Sequence, residues 1–125
     1  MQLHIYIDNS DIEPSRLDEI YAPISEEISS WIGEKKSIQS LSSPIEPEGI
    51  ESDNDERKLG ISIQIKSKHK LKDPLKFLYS IAKTYKCEFA IAEVCSTSNE
   101  VEDVCYFGYE EGQPDLFEIA NYLSL

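Results

Sequence analysis

The stretch Phe89–Tyr109, FAIAEVCSTSNEVEDVCYFGY, decides how the rest of the chain is read. Phe89 to Cys95 are apolar at nearly every position, the composition of a strand in the interior of a sheet with both faces covered. Ser96-Thr97-Ser98-Asn99-Glu100 is a polar turn, and Val101 to Tyr109 return as the second arm of a hairpin. A period of two along that arm places Glu102, Val104, Tyr106 and Gly108 on one face. Val101, Asp103, Cys105, Phe107 and Tyr109 fall on the other.

Working outward, Leu3, Ile5 and Ile7 alternate with His4, Tyr6 and Asp8, a half-buried strand. Ile61, Ile63 and Ile65 alternate with Ser62, Gln64 and Lys66, a second strand whose apolar face is β-branched throughout. Residues 37–41 form a further short strand. Leu17, Ile20, Tyr21, Ile24, Ile28, Trp31 and Ile32 recur at steps of three and four, an amphipathic helix opened by Pro14 and stopped at Gly33. Pro23 is expected to kink or restart that helix near Ala22, because it removes one backbone bond. Asp73-Pro74 supply a cap and first turn for a helix with Leu75, Phe77, Leu78, Ile81, Ala82 and Tyr85 on its buried side. Gly112 ends the hairpin unit, and Pro114-Asp115 open a short last helix carrying Leu116, Ile119, Ala120 and Leu123.

The order β-α-(β)-β-α-β-β-α interleaves strands and helices without strict βαβ repetition. It predicts an α+β fold: one mostly antiparallel or mixed sheet of four to five strands, with the two longer helices packed on one face. The 125 residues suit a single domain. Residues 42–58 hold Pro44, Pro47, Gly49 and the acids Glu46, Glu48, Glu51, Asp53, Asp55 and Glu56, and read as an irregular acidic loop.

Net charge is −12, from 24 acids and 12 bases, and it is unevenly spread. Seven lysines crowd residues 66–86, whereas residues 87–125 carry nine acids and no Lys or Arg. A chain this acidic repels phosphate backbones, which argues against nucleic acid and anionic membranes as partners and for a basic protein. The lysines read as internal neutralisation of acids elsewhere in the fold. No apolar run approaches the roughly 18 residues a bilayer requires. The N-terminus has no basic region leading into an apolar one, so the expected location is the cytoplasm. Cys87, Cys95 and Cys105 are spaced unlike a zinc site and read as free thiols. Cys95 and Cys105 flank the hairpin, where a disulfide across it is one option, and a reducing cytosol argues against their pairing.

The residues offer little chemistry. His4 and His69 lack a partnering nucleophile, and the five glycines form no phosphate-binding loop. Asp53-Asn54-Asp55 begins like a calcium loop, but Lys58 stands where glycine is needed and Gln64 where glutamate is needed. No catalytic residue, metal or cofactor is therefore expected. What remains is a recognition surface: Glu100, Glu102, Asp103, Glu110 and Glu111 beside Tyr106 and Tyr109, with Glu51, Asp53 and Asp55 of the acidic loop. Tyrosine offers large contact area at low entropy cost, and carboxylates attract a basic target. The bland alternative is a solvated hairpin with one tyrosine facing the core.

The acid-rich loop Glu46–Glu56 and the base-free segment Glu88–Leu125 with its Glu/Tyr hairpin give the chain a composition that resembles the immunity proteins of bacterial toxin–immunity systems. Those protecting against contact-dependent growth-inhibition toxins are the type meant. The likeness is one of size and charge over the whole chain, so no residue role is transferred. It implies a cognate toxin domain as partner, usually a basic nuclease, whose cationic cleft is covered or clamped. A non-catalytic adaptor or regulatory domain, acidic for solubility, fits the same residues.

Overall fold

The computed structural model describes residues 1–8, 12–33, 38–42, 59–95, 97–98 and 100–123. Among them lie strands β1 (Gln2–Ile7), β2 (Ile38–Ser42), β3 (Leu59–Gln64), β4 (Glu88–Val94) and β5 (Val101–Gly108). Helices are α1 (Pro14–Ile32), α2 (Lys72–Tyr85) and α3 (Leu116–Tyr122), and a 3-10 turn over Lys68–Leu71 leads into α2. The strands form one antiparallel sheet in the order β2-β3-β1-β4-β5, so the α+β reading holds.

The alternation in β1 sets the two faces. Leu3, Ile5 and Ile7 are buried, with Ile5 in register with Ile61 on β3 and Ile91 on β4. Helix α1 packs on β2 and β3, and α2 on β4 and β5, closing this inner face. Leu17, Ile20, Ile24 and Ile28 of α1 and Leu75, Leu78, Ile81 and Ala82 of α2 complete the core. Burying one such Leu or Ile stabilises the fold by about 1.5–3 kcal/mol. The two helices are also tied to each other. Trp31 stacks on Phe77 with ring centroids 4.5 Å apart. The Tyr85 hydroxyl donates to Glu27 at 2.7 Å, and the Arg16 guanidinium donates to the Tyr85 carbonyl at 2.6 Å, satisfying an orphan acceptor at the end of α2.

Two helix expectations are corrected. Helix α1 does not restart near Ala22 but runs on through Pro23, because the buried Ile20 and Ile24 on either side hold it to the sheet while Pro23 itself is exposed. Helix α2 begins at Lys72, where the chain runs on from the 3-10 turn, so Asp73 sits in the first turn and caps nothing. Asp115 does cap α3, accepting from the amides of Phe117 and Glu118 at 2.9 and 3.2 Å. Gly33 ends α1 with a positive φ of 47° and its amide on the Ser29 carbonyl. All three cysteines are free.

Candidate functional site

Among the described residues, no helix covers the outer face of the sheet. Its side chains come from alternate positions: Gln2, His4 and Tyr6 on β1, Ser62 on β3, Ala90 and Ala92 on β4. Ala90 and Ala92 are 1% and 0% exposed although the helices lie on the opposite face. Their small size lets the longer side chains beside them close over β4. Tyr6 uses that gap: it crosses β4 and its hydroxyl donates to Asp103 on β5. Gly60, opposite Tyr6 on β3, is equally constrained, since a Cβ there would lie 1.9 Å from the Ile5 carbonyl oxygen.

Asp103 reaches this face because β5 is irregular. Ile91 pairs with Cys105 but Ala92 pairs with Asp103, so Val104 is an extra residue and the register shifts. This overturns the strict alternation read from sequence. Asp103 shares a face with Tyr106, which pairs with Ala90, while Glu102 pairs with Glu93 on the other side. The Tyr106 hydroxyl donates to the second Asp103 oxygen at 3.3 Å. Burial, then the Asp103 hydrogen bond, drives the Tyr6 phenol well above its ordinary range. The Asp103 charge, foremost, also raises the Tyr106 phenol. Both rings are thus held as neutral donors to one carboxylate.

The exit of β5 is pinned by Glu88. Its carboxylate accepts from the amides of Glu110 and Glu111 at 2.8–3.0 Å. Gly108 and Gly112 close the turn with paired backbone bonds of 3.0 and 2.9 Å. At Gly108, φ is +151° and a Cβ would meet the Cys87 carbonyl oxygen at 2.6 Å, so only glycine fits. Apart from Met1, every exposed large apolar or aromatic side chain among the described residues lies on β5, this turn or α3: Val101, Tyr106, Tyr109, Phe117 and Tyr122. Phe117 is 68% exposed, with the Lys68 ammonium 5.1 Å from its ring.

The sequence-derived site residues divide accordingly. Glu100, Glu102, Asp103, Tyr106, Tyr109, Glu110 and Glu111 are all exposed on β5 or at its ends. Asp103 and Tyr106 meet side chain to side chain, and Glu110 and Glu111 meet only through their amides on Glu88; these two sit at the opposite end of the strand from Glu100, roughly 25 Å away at about 3.3 Å per residue. Glu51, Asp53 and Asp55 lie outside the described residues. Tyr6, Phe117 and Tyr122 were not anticipated. The alternation already placed Tyr6 off the core face, and Phe117 off the buried positions of α3, but no local signal reveals what lies beyond.

At the end of the sheet where β4 turns into β5, an open cleft of about 910 Å³ is lined by Gln2, Glu93, Cys95, Glu100 and Glu102 among others. The exposed Cys95 thiol is lowered to about 6 by hydrogen bonds from the side chains of Ser98 and Thr97 and from their backbone. Its Sγ lies 3.2 Å from the Thr97 hydroxyl. Burial instead pushes Cys87 up to about 12 and Cys105 to about 11. Among the described residues, no group of His, Cys, Asp and Glu side chains gathers as a metal ion requires. None of their helices is long and apolar enough to cross a membrane. No family model, curated protein or solved structure matches the chain.

Proposed function

We propose that this protein is a cytoplasmic, non-catalytic inhibitor of the immunity type, which binds a basic toxin domain through β5 and its flanks. The observation that carries the reading is the confinement of exposed aromatic side chains to a segment that has nine acids and no base. Aromatic area supplies affinity at the centre of an interface, and surrounding carboxylates steer a cationic partner onto it. A nuclease cleft, cationic because it holds phosphate, is the complement such a surface fits. The outer face adds Asp8 to Asp103, and the positions of β1, β4 and β5 that share it hold no Lys or Arg.

The test is affinity capture from the source organism with elution at high salt, followed by reconstitution. A basic protein whose nuclease or other toxic activity is abolished by one equivalent of this chain supports the reading. A captured partner of neutral or acidic charge, bound equally well at low and high salt, overturns it. That outcome favours an adaptor domain, for which the exposed Phe117 and Tyr122 of α3 are the apolar anchors.

A further inference from the structure

We infer that the free edge of β5 receives an extended strand from the partner, with basic side chains alternating with apolar ones. The inference deepens the reading above and rests on its placement of the partner at β5. Strand β5 ends the sheet, and among the described residues no strand lies beyond it. The direction of its backbone groups follows from the hydrogen bonds at either end. Gly108 both donates to and accepts from Gly112, so its peptide groups point away from β4. Two residues earlier, those of Tyr106 point the same way. From the other end, the Glu100 carbonyl accepts from the Cys95 amide at 2.8 Å, so Glu100 and Glu102 face β4. Val101 and Asp103 therefore present their amides and carbonyls outward.

Such an edge is open to any strand unless its side chains discriminate. Those of β5 do. Glu102 and Asp103, flanked by Glu100, Glu110 and Glu111, repel a second copy of the same strand. The bulge at Val104 also disfavours a long regular pairing with itself. A basic strand meets no such charge repulsion. Opposed residues of an antiparallel pair share a face, so the partner residues across from Asp103 and Tyr106 emerge beside the Tyr6–Asp103–Tyr106 group. Lysine or arginine there gains a carboxylate and two aromatic rings. The intervening positions fall beside half-buried Cys105 on the side of α3, where apolar residues fit.

The probe is a short acetylated peptide alternating lysine and valine, added to the isotopically labelled full chain. Binding at low salt with slowed hydrogen exchange at the Asp103 and Tyr106 amides is expected. The same peptide N-methylated on its ladder-forming amides keeps charge and side chains, and should bind roughly tenfold more weakly. Tyr106→Pro, which removes an outward amide and no bond to β4, should weaken the unmodified peptide to a similar degree. Equal binding of both peptides without protection on β5 overturns strand addition and leaves the acidic-surface reading standing. Failure of both peptides to bind at low salt overturns strand addition and the acidic-surface reading together. Dimerisation of the chain alone through protected β5 amides also overturns the proposal, since the edge then belongs to a second copy.

Discussion

Asp103 shows how much a single side chain can collect. Two phenols from different strands converge on its carboxylate, Tyr6 from β1 and Tyr106 from its own strand. The raised Tyr6 pKa fixes the sign of a pH effect. The fold favours the neutral phenol, so the stabilisation is full below the ordinary tyrosine value near 10 and is lost as pH climbs above it. Tyr6→Phe should therefore cost about 1 kcal/mol at neutral pH and flatten the alkaline decline, as read by urea denaturation across pH. Cys95 gives a second residue-scale expectation. Its thiol at about 6, against 11 and 12 for Cys105 and Cys87, directs alkylation to one site. Labelling by iodoacetamide should reach half its maximal rate near pH 6, and mass spectrometry should place the adduct on Cys95 alone. A midpoint near the ordinary thiol value would remove the Ser98 and Thr97 hydrogen bonds from solution.

At the scale of elements, the fold was largely legible because its determinants are local. The period of two in β1 and β3, the stripe along α1 and the helix start at Pro114-Asp115 each act within a few residues, and each appears where its pattern placed it. What sequence hid was tertiary. Pro23 carries a strong local instruction to interrupt α1, and burial of the flanking isoleucines overrides it. Pro23→Ala should raise stability by about 1–3 kcal/mol, measured by thermal and urea unfolding, since it restores an amide donor to the helix interior. No gain would mean that the helix has already accommodated the ring at no cost. The bulge in β5 was illegible for another reason. Val104 is chemically ordinary, and only pairing with β4 reveals that two residues oppose one. Because of it, Asp103 joins Tyr106, and the candidate site takes a form that strict alternation denied it.

Over the whole molecule, charge is sorted by layer as well as by sequence. The lysines of α2 and the preceding turn lie with the helices, while the outer face of β1, β4 and β5 bears only carboxylates among its charged groups. On the proposed function, a partner approaches β5 and its outer side with its cationic surface foremost. Against a captured basic partner, Glu102→Lys with Asp103→Lys should lower the association rate roughly tenfold or more, whereas Glu26→Lys with Glu27→Lys on α1 should change it little. Stopped-flow kinetics at several salt concentrations read the difference, and equal effects would take β5 out of the interface. The stacked pair that joins α1 to α2 then acquires an experimental use. Trp31 is the only indole in the chain, and it sits on the helix layer, across the sheet from the outer face. Its emission is an internal reporter of whether the helices remain seated, with a partner docked on the far side staying optically silent. One fluorescence channel can thus follow unfolding while anisotropy of a labelled partner follows binding, and the two signals will not contaminate each other.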